Sequence, residues 1–157
     1  ACMTTQEFVL IDARQKKVDF LNAAITVIPR EGKARAYSFR GKDVRLSHPD
    51  LRHRAEVVTA RAVGKGVELL PDAAELLAQG GVPAFFRTVG VFVLMKGQSW
   101  NTEEKPLFVE ACPAFGFDMV EDMELSLVPN DPVRHIILAV KKGEGNPRRT
   151  KKYLARL

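Results

Sequence analysis

The stretch Val89-Gly90-Val91-Phe92-Val93-Leu94-Met95 is the longest apolar run in the chain. It does not alternate apolar and polar residues, which is typical of a strand covered on both faces. We therefore expect a nearly all-apolar strand over Val82–Lys96 at the centre of a sheet. A helix that crosses a bilayer needs about 20 apolar residues, so the sequence predicts no transmembrane segment.

Downstream of this run, short strands are predicted as far as Val140. Leu107–Ala111 and Phe115–Val120 have the length and composition of strands. Glu124–Val128 and Val133–Val140 flank Pro129-Asn130-Asp131-Pro132, whose residues are typical of a tight turn. The sequence therefore predicts a β-hairpin here, with antiparallel pairing.

Upstream of the run, three more strands are predicted. Glu7–Asp12 is short and apolar. In Val18–Ile28 the apolar residues stand at alternate positions, as in a strand with one buried face. Ala34–Phe39 alternates in the same way, with Tyr37 and Phe39 on one side.

Two helices are predicted between these groups of strands. In the segment 50–62, apolar residues from Leu51 to Ala62 have helical spacing, and Ser47 is placed to cap such a helix. The competing interpretation pairs Glu56–Val63 with Val67–Leu70 as a hairpin; we favour the helix. The second helix is predicted over 72–79, with Asp72 as its N-cap.

These elements predict an α+β fold, a mainly antiparallel β-sheet with one or two helices (50–62 and 72–79) and a basic C-terminal arm. The chain has 157 residues, of which 46% are hydrophobic and 27% charged, as in an ordinary globular domain. Composition changes after Lys142, where glycines and a proline precede a basic cluster. We expect a compact body over 1–142 and a linker with a basic tail over 143–157.

Charge is strongly segregated along the chain, although the net charge is only +5. Residues 30–65 carry a net charge of +6, residues 66–140 carry −7, and residues 141–157 carry +6. Basic blocks of this kind bind polyanions electrostatically. The sequence therefore predicts contact with nucleic acid first and an anionic membrane surface second.

The predicted polyanion-binding residues come from both basic blocks. In the first block, Arg35 shares a strand face with Tyr37 and Phe39, which predicts a surface for phosphate contact and base stacking. The alternative is that these charged side chains only occupy the solvent-exposed faces of strands and a helix. The predicted binding residues are Arg35, Arg40, Lys42, Arg45, Arg52, Arg54, Arg148, Arg149, Lys151 and Lys152.

Self-association is also predicted, because a basic tail can meet the acidic body of a neighbouring copy head to tail. Tyr153, Leu154 and Leu157 would anchor the tail at such an interface. The alternative is that the tail folds back onto its own acidic face. Trp100, in a polar loop, is either an interface anchor or a lid over the core.

No catalytic or metal-ligand pattern is found in the sequence, so we expect no catalytic residues, no metal and no cofactor. His48 and His53 do not have the i, i+4 spacing of a metal pair. Cys112 has no histidine beside it, and a small core residue is a simpler interpretation than a nucleophile. Carboxylates between Asp118 and Glu124 leave a metal site as an open alternative.

The sequence therefore predicts a non-enzymatic binding or assembly protein of viral or phage structural type, like a matrix, coat or nucleoprotein. It would be a homo-oligomer in a reducing compartment, cytoplasmic or nuclear, or in a virion. One alternative is a small enzyme with an unrecognised carboxylate or thiol site. Another is a scaffold that binds only proteins.

Overall fold

The computed structural model describes residues 7–27, 33–79, 90–126, 132–146 and 148–150. In this part of the chain, strands alternate with helices as far as residue 111, and two paired strands follow. The strands are β1 (Phe8–Asp12), β2 (Ala34–Ser38), β3 (Val57–Arg61), β4 (Val91–Lys96), β5 (Phe117–Leu125) and β6 (Arg134–Lys141). The α-helices are α1 (Gln15–Val27), α2 (Val44–Ser47), α3 (Gly66–Leu76) and α4 (Lys105–Ala111).

The described strands form two hydrogen-bonded sheets. β1 and β2 pair in parallel, and the larger sheet has the order β3-β4-β6-β5. Within it β3 and β4 are parallel, whereas β6 is antiparallel to both β4 and β5. A helix lies between the strands of each parallel pair, as parallel connections require. The predicted α+β fold with a mainly antiparallel sheet is therefore wrong, and the fold is α/β.

The strand predicted over Val18–Ile28 is helix α1. Val18 is buried, and Leu21 and Ile25 are half-buried, at helical spacings of three and four residues. Ala23 and Val27, which completed the alternation, are exposed. The apolar residues of this segment fit both the alternating and the helical spacing. The helix returns the chain so that β2 can pair in parallel with β1.

The helix predicted over 50–62 is wrong. Only Pro49–Leu51 forms a 3₁₀ turn. The chain leaves helical geometry at Arg52, whose backbone is extended, and His53 then has a φ of 55°. β3 follows over Val57–Arg61. The competing hairpin is wrong as well, because Val67–Leu70 belongs to α3.

The helix predicted over 72–79 overlaps α3, which begins earlier, at Gly66, and ends at Leu76. Pro71 lies inside this helix rather than at its start. Asp72 does not cap it; instead its carboxylate accepts a hydrogen bond from the Lys42 backbone N–H at 2.8 Å. This contact joins the turn after β2 to α3.

The apolar run forms β4, an interior strand between β3 and β6, as predicted. Phe92 and Leu94 are fully buried, and residues 82–89 lie outside the described part of the chain. The core around them combines β4 and β6 with α3, α4 and the turn before α4. Its largest buried side chains are Trp100, Phe92, Phe108, Phe117, Leu70, Leu77, Leu94 and Ile137.

The later strands were predicted in part. Leu107–Ala111 is wrong, because these residues belong to α4. β5 begins at Phe117 and continues through Glu124, and it pairs with β6 in antiparallel register, with Leu125 opposite Arg134. The predicted hairpin therefore forms; most of its turn, residues 127–131, lies outside the described residues.

The segment after β6 packs against the body. A Cβ on Gly145 would come within 2.2 Å of the Ala114 carbonyl oxygen, so only glycine fits this approach. The Thr150 hydroxyl donates a hydrogen bond to the same carbonyl oxygen at 2.6 Å. The boundary between body and tail at residues 142 and 143 stays a prediction.

Candidate functional site

The carboxyl ends of β3 and β4 meet at one edge of the larger sheet. The strands are parallel and Arg61 lies opposite Met95, so the segments that follow them emerge side by side. In open α/β sheets, ligands bind beyond the carboxyl ends of the parallel strands. This edge is therefore the candidate site.

Lys96, the last residue of β4, fastens the loop after β3 to this edge. Its ammonium group donates to the Gly64 carbonyl oxygen at 2.6 Å and forms an ion pair with Glu104 at 2.7 Å. Glu104 also accepts a hydrogen bond from the Gly66 backbone N–H, at the start of α3, at 2.8 Å. Little water reaches the pair, since the side chains are only 10% and 15% exposed. We call Lys96 and Glu104 the β4 clamp.

The loop that the clamp holds, residues 62–65, has a strained backbone. Ala62 has φ of 54° and Gly64 has φ of 35°. The left-handed conformation costs an alanine about 1 kcal/mol or more. Such strain is concentrated at ligand sites and switch regions. All four loop residues are exposed, so the strained segment faces solvent at the candidate site.

Asp12 lies at the carboxyl end of β1. Its carboxylate accepts a hydrogen bond from the Arg14 backbone N–H at 2.8 Å and pairs with the Lys17 ammonium at 3.1 Å. These two contacts, the first above all, lower the pKa of Asp12, so the group is ionised at neutral pH. A carboxylate has lone pairs for about four hydrogen bonds. Asp12 therefore has acceptor capacity left for hydroxyl donors of a ligand.

A buried polar network stands beside the β4 clamp. The Asp122 carboxylate accepts hydrogen bonds from Trp100 Nε1 at 2.9 Å and Lys105 Nζ at 2.7 Å, and contacts His135 Nδ1 at 3.0 Å. Burial acts to raise the pKa of Asp122, but the hydrogen bonds from Lys105, Trp100 and His135 outweigh it and the pKa is lowered. The network holds the π-helical turn Trp100–Glu104, and so places Glu104 in the clamp.

The predicted polyanion-binding residues are spread over several elements. Arg40, Lys42 and Arg45 are exposed and follow the carboxyl end of β2. Arg35 and Arg54 are also exposed, and so are Arg148 and Arg149. Lys151 and Lys152 lie outside the described residues. Arg52 is engaged in an ion pair with Glu75 at 2.7 Å.

The predicted stacking surface on β2 is wrong. Phe39 is only 7% exposed and packs in a small cluster with Val44 and Leu76. Tyr37 and Phe39 both contact the His48 ring, with centroids 4.6 and 4.9 Å away. Phe39 therefore belongs to the protein interior, and the half-buried Tyr37 packs against the His48 ring.

Trp100 is fully buried, so it cannot be an exposed interface anchor, and the structure favours its packing onto the core. The other predicted interface residues, Tyr153, Leu154 and Leu157, lie outside the described residues. Cys112 is buried, and this burial, with the nearby Asp118 charge, raises the pKa of its thiol to about 12. Among the described residues, no cluster of histidine, cysteine and carboxylate side chains is arranged to hold a metal ion. No described helix is long and apolar enough to span a bilayer.

Comparison with curated proteins finds a methyltransferase. The chain is 28% identical over 138 residues to ribosomal RNA small subunit methyltransferase G from Gloeobacter violaceus. The match covers 87% of this chain, which spans about half (50%) of the length of that relative. No family model matches the chain.

Solved structures show the fold. A SAM-dependent methyltransferase from Methanosarcina mazei superposes with a TM-score of 0.62 at 12% identity, over 90% of this chain and 85% of the other. The 16S rRNA (adenine(1408)-N(1))-methyltransferase from Catenulisporales acidiphilia gives 0.58 at 17% identity, over 87% and 73%. The chain has a Rossmann-like methyltransferase fold. Its pairs β2-β1 and β3-β4 correspond to strands 3-2 and 4-5 of the doubly wound order 3-2-1-4-5-6.

These findings overturn the functional predictions. A non-enzymatic assembly protein of viral or phage structural type is wrong, because the matched relative is an enzyme and the fold is shared with methyltransferases. The expectation that the protein is not an enzyme is wrong for the same reason. No comparison supports self-association, membrane contact or a place in a virion.

Sequence reasoning missed the residues at the strand ends. Asp12 directly follows the apolar residues Phe8–Ile11 and precedes an amphipathic helix, which is the strand-then-acid pattern of a nucleotide-binding sheet. This pattern can be recognised in the sequence only if α1 is predicted as a helix rather than as a strand. Lys96 and Glu104 carried no signal, because their contacts with Gly64 and Gly66 join residues more than 30 positions apart.

Proposed function

We propose that this chain is part of an S-adenosylmethionine-dependent methyltransferase that modifies ribosomal RNA. The observation that carries the proposal is the match to a small-subunit rRNA methyltransferase over 87% of the chain. The Rossmann-like fold agrees with it, and so does the position of the strained loop at the carboxyl edge of the sheet.

The residues at this edge fit one part of the cofactor. In doubly wound folds, an acidic residue after the second strand binds the ribose hydroxyls of a nucleotide. Asp12 ends β1, which holds that place in the strand order, and its ionised carboxylate has acceptor capacity left. The glycine-rich turn that follows the first strand in such folds is not found among the described residues. When bound, S-adenosylmethionine supplies an electrophilic methyl group on sulfur.

The protein's own residues would then position the substrate. The β4 clamp holds residues 62–65 in one conformation beside the carboxyl ends of β3 and β4. Arg40, Lys42 and Arg45, exposed after β2, are arranged to contact RNA phosphates near the same edge. The predicted contact with nucleic acid is thus retained, as contact with an RNA substrate.

The experiment measures transfer of a tritiated methyl group from S-adenosylmethionine to small-subunit rRNA. Because the chain spans half of its relative, it is assayed alone and co-expressed with the unmatched part of that relative. Asp12→Ala should abolish cofactor binding, measured calorimetrically with S-adenosylhomocysteine. Asp19→Ala, at an exposed position of α1, is the matched control, and this variant should bind S-adenosylhomocysteine normally. A folded complex that neither binds the cofactor nor transfers the methyl group contradicts the proposal.

We also propose a cellular compartment for the protein. The matched relative is a bacterial enzyme whose named substrate is ribosomal RNA, and bacterial ribosomes are cytoplasmic. We therefore propose the cytoplasm, which was one of the compartments predicted from the sequence. Fractionation of cells that express a tagged chain tests this placement.

A further inference from the structure

In the turn after β2, exposed cations alternate with buried residues. Gly41 is buried, and Val44 is fully buried in one cluster with Leu76 of α3. These buried residues fix the backbone of the turn against α3, while the side chains between them stay in solvent. We call residues 40–45 the basic turn. Its three exposed cations are Arg40, Lys42 and Arg45.

Asp72 of α3 makes the polar part of this contact. Its half-buried carboxylate accepts a hydrogen bond from the Lys42 backbone N–H at 2.8 Å. A Cβ at Gly41 would lie 2.7 Å from the Asp72 Cβ, so only glycine allows the two elements to approach this closely. Burial raises the pKa of Asp72, although hydrogen bonds from the Lys42 and Gly41 backbones act to lower it. The hydrogen bonds of Asp72 therefore hold the backbone of the basic turn.

The same helix also holds the strained loop 62–65. The first residue of α3, Gly66, donates its backbone N–H to Glu104 of the β4 clamp at 2.8 Å. Asp72 follows on the same helix, about 9 Å further along its axis at a rise of about 1.5 Å per residue. One helix therefore sets the distance between the strained loop and the basic turn.

We propose that Asp72 is a positioning residue for RNA, which holds the basic turn on α3 so that its three cations meet RNA phosphates at a set distance from the strained loop. The inference rests on the proposed function, because it takes RNA as the ligand of the turn. Cations that are already in place bind more tightly, since less conformational freedom is lost on binding. Asp72 acts through the backbone of the turn and does not itself contact RNA.

The direction of the effect separates positioning from simple electrostatics. A carboxylate near RNA phosphates repels them, so removal of its charge should by itself raise the affinity for RNA. If Asp72 positions the turn, Asp72→Ala should instead lower the affinity at least about fivefold. Asp72→Asn keeps an acceptor oxygen for the Lys42 N–H and should bind RNA at least as tightly as wild type.

Fluorescence anisotropy of the full chain with a labelled RNA oligonucleotide, at one low salt concentration, measures these affinities. Glu75→Ala is the matched control, because Glu75 lies on the same helix but pairs with Arg52, at 2.7 Å, and not with the basic turn. This control should not weaken RNA binding. Gly41→Ala forces the turn away from α3 and should weaken binding as Asp72→Ala does. The double variant should be no weaker than the single ones, since both substitutions act on one contact.

Amide hydrogen exchange reports on the turn without RNA. The Lys42 amide should exchange at least about tenfold faster in Asp72→Ala than in wild type, and at nearly the wild-type rate in Asp72→Asn. The core amides of Phe92 and Leu94 should be unchanged, which excludes general unfolding. A Lys42 amide that stays protected in Asp72→Ala overturns the inference.

Three results of the binding experiment also overturn it: an affinity that Asp72→Ala leaves unchanged or raises, an equal loss in Glu75→Ala, or a loss that Asp72→Asn does not restore. Each of these leaves the proposed function standing, because the wild-type chain still binds RNA. A wild-type chain that neither binds RNA nor transfers a methyl group refutes the proposed function, and the inference falls with it.

Discussion

At the scale of single residues, Asp122 is a nearly buried carboxylate that is held by several polar side chains. Its side chain is 8% exposed and has three partners, Trp100, Lys105 and His135. Asp122→Asn keeps the shape but removes the charge, and should lower the free energy of unfolding by about 1–3 kcal/mol. Asp118→Asn, at an exposed position of the same strand, is the control and should change stability little. Chemical denaturation of the three proteins at neutral pH measures the difference.

The effect of Asp122 should depend on pH in a defined direction. Its pKa in the folded protein is below the ordinary aspartate value of 3.8. The stabilisation is therefore fully present above that value and is lost as pH falls through the lower folded pKa. The gap in melting temperature between wild type and Asp122→Asn should narrow below about pH 4. A gap that stays constant down to pH 2 would show that the carboxylate charge is not responsible.

Cys112 should be chemically inert in the folded protein. Burial raises the pKa of its thiol from the ordinary 9.0 to about 12, so at pH 8 the thiolate fraction falls by about a thousandfold. Alkylation by iodoacetamide, followed by peptide mass spectrometry, should label Cys112 far more slowly in the native protein than in urea. Rapid native labelling would contradict this burial. Cys112→Ala should cost only about 1–2 kcal/mol, as a small core truncation.

At the scale of elements, the β4 clamp couples β4, α3 and the strained loop. Lys96→Met leaves the Glu104 carboxylate in a site with little water and no cation, which should cost about 1–3 kcal/mol. Exchange of the Gly66 amide and of residues 62–65 should then accelerate, whereas β6 should be unaffected. Lys42→Met, at an exposed position, is the control. Unchanged exchange in the loop would mean that its conformation does not need the clamp.

Element prediction from the sequence succeeded where one pattern had one explanation. The apolar run of β4 needs two covered faces, and the proline-rich turn between β5 and β6 needs a reversal, so both were predicted correctly. α1 failed because its apolar residues fit periods of two and 3.6 equally well. The choice between them depends on β2 pairing in parallel with β1, a contact between distant residues. The candidate site was not predicted for the same reason, because the β4 clamp depends on contacts that form only in the folded chain.

At the scale of the whole molecule, the basic and acidic blocks of the sequence correspond to different elements of the fold. The basic block over residues 30–65 includes the segments that follow β2 and β3 at the carboxyl edge, and after β2 the cations Arg40, Lys42 and Arg45 outnumber Asp43. The acidic block includes β5, which carries Asp118, Glu121, Asp122 and Glu124. The charge distribution predicted a polyanion partner, and we interpreted this partner as part of an assembly. That interpretation was wrong because charge carries no information about catalysis.

This asymmetry predicts how the proposed RNA binding responds to salt and to substitution. Each phosphate contact releases counterions, with a slope of about −0.7 in log affinity per log salt for single strands. The double variant Arg40→Ala with Arg45→Ala should therefore reduce the slope by about 1.4 units if both residues contact phosphate. The double variant Lys33→Ala with Lys142→Ala removes the same charge from the opposite edge, at the amino ends of the parallel strands, and should leave the slope nearly unchanged. Fluorescence anisotropy with a labelled RNA oligonucleotide, titrated from low to high salt, measures both. Equal losses in the two double variants would show that RNA senses only net charge, and the carboxyl edge would then not be the RNA-binding face.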